Sequence, residues 1–338
     1  MNKISPEISQ RIAILRYLMI FGIIVLHTPP YIPLAETGTS IFDFIKALFQ
    51  HAIFRSSVPV LTFISGYLLF NANLDTKFRT LLTKKTTTIL LPLIAFNLPI
   101  ALVIYIAQAN QLLDHQFSQQ LYPFDSSVWL DAITGLFGAP INYPLNFLRD
   151  LFFISLLAPL FGLLIRQYAW LGLLITFIIF WFNLDGDLIL RNTMPIVFYL
   201  GGMTAVKTWD LKQLDKYAPL LLLLFLALCA AIIIYQVENR NYLRLVSPIL
   251  IWPAASLLVN SRFGVWLAGL AKYSFLTFLM QGPMLLISWL IYQKVFPEIS
   301  YEIFWLSTPI IIAATMTQVQ IYSRHLFPKT MRILLGGR

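Results

Sequence analysis

Apolar runs long enough to cross a bilayer recur along almost the whole chain, and they dictate what it can fold into. Bounded by proline, glycine, asparagine and charge, they fall at 11–28, 41–71, 87–108, 145–165, 169–184, 189–206, 217–237, 245–260, 273–293 and 302–322. A membrane-crossing helix needs about 20 predominantly apolar residues. The pattern predicts an all-α, polytopic bundle of about ten transmembrane helices in one domain spanning 1–338. Charged residues make up 12% of the sequence, about half the share in an ordinary soluble domain, which excludes a typical water-soluble enzyme. The first apolar run leads directly into further spans, so no removable signal peptide is expected.

The run at 41–71 is too long for one simple crossing and holds Asp43, Lys46, His51 and Arg55. A break near Pro59 is expected there, because proline interrupts the backbone ladder of a helix. Cys229 is the single cysteine and lies in an apolar run, so thiols build neither a disulfide framework nor a zinc cluster, and no metal is expected. No basic run carries interleaved aromatics, and no nucleic-acid partner is expected.

Positive charge sets the orientation of such a chain. With the N-terminus placed in the cytoplasm, sixteen of the 24 lysines and arginines fall in inner connections, Arg11 and Arg166 among them. Arg240, Arg244 and Lys294 fall in outer ones, and Arg16, Lys46, Arg55, Arg149 and Arg191 lie within spans. Both termini are therefore expected in the cytoplasm. The longest outer connection, 109–144, holds Asp114, Asp125 and Asp131 with no lysine or arginine, and is the expected entrance from outside.

A charge near the bilayer centre costs about 2.5–3.5 kcal/mol on insertion scales, so intramembrane charges are functional candidates. Of the acids only Asp43 and Asp150 lie within spans, and Asp150, next to Arg149, is expected to point to a different helix face. The interior is then net positive, and an arginine-lined interior suits an anionic ligand such as a phosphate-bearing cofactor. Arg16 and His27 stand eleven positions apart, which returns them to within roughly 20° on one helix face, about 16 Å apart along the axis. On geometry alone Arg16 also fits a side chain snorkelling to headgroups, and His27 an interfacial residue bonded to backbone near Pro29 and Pro30. His51, His115 and His325 are read as satisfied or solvated, and Ser65-Gly66 as a close helix contact.

These residues carry a resemblance. Arg16 followed by His27 in the first span resembles the signature of the acyltransferase-3 family of integral-membrane acyltransferases. Arg55, Val58-Pro59 and Ser65-Gly66-Tyr67-Leu68-Leu69 are similar to its second-span pattern, and Lys84-Lys85 before Leu91-Pro92 to its basic entry into the third span. Phe147-Leu148-Arg149-Asp150-Leu151 resembles a Trp-Phe-Leu-Arg-Asp-Leu segment, with Asn146 in place of the tryptophan, and Tyr273-Ser274 through Gln281-Gly282-Pro283 a segment ending in His-x-Pro. Glutamine cannot take a proton near neutral pH, so the acid–base burden falls on His27.

The resemblance implies O-acyl transfer, most often from cytoplasmic acetyl-CoA to a sugar hydroxyl presented outside. His27 and Arg16 are then the expected catalytic residues. Arg55, Arg149 and Gln281 are expected to bind substrate, the arginines at the donor's phosphates or thioester in one cavity. The expected partners are an acyl-CoA donor, an exopolysaccharide, other surface glycan or lipid-linked precursor as acceptor, membrane lipid, and polysaccharide synthase or export machinery, in a bacterial inner membrane. Succinyl transfer within the same family is one alternative, since extra arginines could pair a second carboxylate. A transporter or flippase for an anionic glycan precursor is another, although no internal duplication is seen.

Overall fold

The computed structural model describes residues 4–112, 119–186 and 188–337; Lys3, Asp114, His115, Asp187 and Arg338 lie outside them. Its helices are α1 (Pro6–His27), α2 (Ile41–Ala47), α3 (Ser57–Asn71), α4 (Phe78–Lys85), α5 (Leu91–Ala109), α6 (Ser126–Thr134), α7 (Asn146–Leu156), α8 (Ala158–Trp181), α9 (Thr193–Val206), α10 (Ala218–Ile234), α11 (Asn241–Ala254), α12 (Arg262–Leu270), α13 (Ser274–Val295), α14 (Tyr301–Leu326) and α15 (Pro328–Leu334). The protein is all-helical among the described residues, and the apolar helices make it a multi-pass membrane protein.

Among the described residues seven helical stretches are long and apolar enough to cross a membrane, or eight if α11 and α12, bent by 117°, form one broken span. The difference from the expected ten has local causes. The run at 145–165 divides between α7 and α8, and α8 continues through the next run across a kink at Tyr168. Helix α9, with 14 residues, is shorter than a bilayer core.

The second run is broken, but not at Pro59. A π turn over Leu48–Ala52 and a 3-10 turn over Ile53–Ser56 separate α2 from α3, with Ala52 at φ −128°, ψ −74°. Pro59 sits in the first turn of α3, where a missing N–H costs nothing because no partner precedes it. Asp43 closes a capping box with Ser40 at the start of α2, which leaves it at a helix end rather than among the intramembrane cations.

Helices α3 and α9 pack backbone to backbone. A Cβ on Gly66 would lie 2.3 Å from the Phe198 carbonyl oxygen, and one on Gly201 2.2 Å from that of Phe63, which is the close approach small residues permit in a membrane. Two cations counted in connections are instead paired. Arg11 is buried in α1, forked onto Asp215 at 2.8 and 2.7 Å with Glu7 at 3.2 Å, and Arg166 in α8 holds the buried Asp75 at 2.5 Å. In the long connection, Asp125 caps α6 and Asp131 accepts from the backbone of Phe137 and Gly138. The Ser127 hydroxyl and two backbone N–H groups hold the Asp125 carboxyl below the usual carboxylate range.

Candidate functional site

Helix α1 ends where it must. Pro29 and Pro30 cannot extend the helical ladder, and Thr28 before them turns to extended backbone at ψ 119°, as a residue preceding proline does. His27 is therefore the last helical residue, beside carbonyls that lack an intrahelical partner. Its Nδ1 lies 3.0 Å from the Ile23 carbonyl oxygen. A carbonyl only accepts, so Nδ1 carries a proton, and in its neutral form the ring presents Nε2 as an acceptor. Tyr143 meets the ring edge to face with centroids 6.1 Å apart.

His27 opens onto a cavity of about 680 Å³ lined also by Tyr31, Arg55, Tyr143, Arg191, Asn192, Asn241 and Arg244. Arg55 donates from Nε to the Gln50 carbonyl at 3.1 Å and from Nη2 to the Tyr31 hydroxyl at 3.0 Å. Arg244 donates to Asn241 Oδ1 at 2.8 Å, and Arg191 stands 3.6 Å from Asp150. Three arginines and a histidine face one space, and no carboxylate is among its lining residues.

Arg16 lines a different cavity of about 380 Å³, with Lys272, Arg324, Ser65, Phe147, Phe275 and Phe278. It too has three cations and no lining carboxylate. The two cavities are nearly end to end. On α1, Ile20 lines one and Ile23 the other; on α3, Leu61 faces the first and Pro59 the second; Phe147 and Tyr143 divide in the same way. Steps of two to four residues correspond to about 3–6 Å of helix rise, so the two cavities are lined by neighbouring turns of the same helices.

The expected site residues thus divide. His27 and Arg55 meet in one cavity and Arg16 lies in the other, so Arg16 and Arg55 do not share a single donor cavity. Arg149 lines neither. It donates to the carbonyls of Gly135 at 2.7 Å and Leu188 at 2.6 Å and pairs with Asp150 at 2.9 Å. The expectation that Asp150 points away is overturned, because the start of α7 turns both side chains onto the 135–136 and 188–190 backbone. Gln281 lines neither cavity. It is fully buried one turn beyond Phe278, neither atom of its amide has a hydrogen-bond partner, and the neighbouring Gly282 abuts Asn142.

His51 donates from Nε2 to the Ile32 carbonyl at 2.9 Å, whereas its buried Nδ1 has no hydrogen-bond partner, so the expectation of a satisfied side chain is met at only one ring nitrogen. Tyr31, Tyr143, Arg244 and Lys272 carry no site role in the reading of the sequence. Arg191 signalled itself as an intramembrane cation, whereas Arg244 looked like an ordinary outer charge. Among the described residues no group of three or more histidine, cysteine, aspartate or glutamate side chains is placed to hold a metal.

A family model described as an acyltransferase domain matches residues 10–323. The chain is 30% identical over 351 aligned positions to the succinoglycan biosynthesis protein ExoH of Rhizobium meliloti (strain 1021), covering 99% of this chain and 94% of that protein. No solved structure matches.

Proposed function

The chain belongs to the acyltransferase-3 family, and from that premise we propose that it is an O-acyltransferase carrying an acyl group from a cytoplasmic acyl-CoA to a hydroxyl of an extracytoplasmic exopolysaccharide or its lipid-linked precursor. The observation that carries the reading is the pair of cationic cavities lined by neighbouring turns of the same helices, with Arg16 in one and His27 in the other.

In this reading Arg16, Lys272 and Arg324 hold the donor's phosphates, which reward charge-assisted hydrogen bonds. The charge distribution along the sequence supports placing that cavity on the cytoplasmic side of a bacterial inner membrane, with both termini on the same side. The acceptor hydroxyl enters the His27 cavity. His27 Nε2 takes its proton as the oxygen attacks the thioester carbonyl, and Arg55 stabilises the oxyanion that forms. Collapse breaks the carbon–sulfur bond, and the departing thiolate recovers the proton from His27. The Nδ1 bond to Ile23 supports this assignment, since it leaves Nε2 of the neutral ring free of a proton and able to accept one.

Acetyl is the first donor group to test. A second reading, succinyl, is favoured by Arg55, Arg191 and Arg244, because an acyl group bearing its own carboxylate would find three guanidinium partners in that cavity. The name of the relative, a succinoglycan biosynthesis protein, supports an exopolysaccharide acceptor, and with it a setting among synthase and export machinery. Purified protein in lipid nanodiscs, given acetyl-CoA or succinyl-CoA, is expected to release free CoA, and His27→Ala to abolish release. Turnover indifferent to His27 would count for a transporter or scaffold instead.

A further inference from the structure

One buried side chain touches the supports of both His27 and Arg55. Gln50 is 1% exposed and sits in the π turn that breaks the second run. Its Nε2 donates to the Val25 carbonyl at 3.2 Å and the Thr28 carbonyl at 2.9 Å, the carbonyls on either side of His27 at the end of α1. Both N–H bonds of the amide are thereby used, and they do from another helix what a C-cap does locally. Its backbone carbonyl accepts from Arg55 Nε at 3.1 Å, a side chain carried by the 3-10 turn that follows.

We infer that Gln50 is a positioning residue that fixes the end of α1 and the Arg55 guanidinium relative to one another, and so sets the distance between the base and the oxyanion partner. The inference rests on the acyl-transfer reading. The surrounding contacts agree with it. Arg55 reaches Tyr31 at 3.0 Å and His51 reaches the Ile32 carbonyl at 2.9 Å, so the segment after His27 is tied to the same broken helix at two further atoms. Helix breaks of this kind recur at functional sites because they re-aim backbone groups. Here the break serves two reacting groups through one residue.

A side chain of this sort acts on geometry and not on donor affinity, and misplacement by about 1 Å costs on the order of 10²-fold in rate. Gln50→Met and Gln50→Glu each remove the donating amide at nearly constant volume. In full-length protein in nanodiscs, with acetyl-CoA or succinyl-CoA as probe and release of free CoA as readout, both are expected to lower kcat about 10²-fold. KM for the acyl-CoA should stay within about twofold, since Arg16, Lys272 and Arg324 are untouched. If release depends on His27 but Gln50→Glu keeps kcat within threefold, or loses activity through KM, the positioning role is overturned and the acyl-transfer reading stands. If neither variant accumulates in the membrane, Gln50 is a packing residue and the inference likewise fails. If wild type and His27→Ala release CoA equally, the premise itself fails.

Discussion

His27 and Ile23 are joined across one turn of α1 by a 3.0 Å bond from the imidazole Nδ1–H to the backbone carbonyl oxygen. The bond fixes both the tautomer and the ring plane, so in the proposed transfer the histidine acts as a base without help from a carboxylate. His27→Ala and His27→Gln are expected to lower acyl transfer by at least about 10²–10⁴-fold, the span general acid–base catalysis supplies. Membrane levels should match wild type, as read by quantitative blotting beside CoA release.

Arg16 and Lys272 line the other cavity. Arg16→Gln and Lys272→Gln should each raise KM for acyl-CoA by about 10–100-fold, as loss of a charge-assisted hydrogen bond worth about 1.5–3 kcal/mol would, with kcat changed little. Initial-rate kinetics over a range of acyl-CoA concentrations checks the split; a pure kcat effect would place these residues elsewhere in the reaction.

Arg244 separates the donor readings. If the acyl group carries a carboxylate, Arg244→Gln should reduce succinyl-CoA use at least tenfold more than acetyl-CoA use, measured as the ratio of the two kcat/KM values. Equal losses would remove Arg244 from recognition of the acyl tail.

Arg149 is expected to matter for stability and not for binding. Its partner Asp150 is fully buried, and breaking a buried pair from one side costs about 3–5 kcal/mol. Arg149→Met should therefore lower the thermal midpoint in detergent and the amount of protein in the membrane, while any protein that remains keeps a wild-type KM. Pairing it with Asp150→Asn should recover part of the loss.

Gly66→Ala would drive a Cβ to 2.3 Å from the Phe198 carbonyl. Overpacking of this kind costs about 1–3 kcal/mol, and because a backbone atom is in the way α3 and α9 must separate. A drop in thermal midpoint is expected, whereas Gly269→Ala, with open space around it, should leave the midpoint unchanged.

What could be read from the sequence was what depends on local periodicity. Apolar runs gave the helices, and the eleven-residue step from Arg16 to His27 gave one face of α1, where the two residues do lie along the same helix in neighbouring cavities. What could not be read depends on distant backbone. Arg149 looked like a free intramembrane cation because its partners, the carbonyls of Gly135 and Leu188, come from connections with no helical period. The break in the second run was assigned to Pro59 from residue type, yet proline is harmless in a first turn, and no single residue type announces the π turn at Leu48–Ala52. Arg244 and Arg191 enter the His27 cavity only through the packing of later helices around α1 and α3.

The central claim is acyl transfer through His27, and the most direct test is the acyl content of surface polysaccharide, by proton NMR, from cells carrying wild type, His27→Ala or no copy, at matched membrane levels. The account predicts that acetyl or succinyl signals vanish alike in the deletion and in His27→Ala while polymer yield is maintained. Unchanged acylation with reduced polymer yield or export would contradict it.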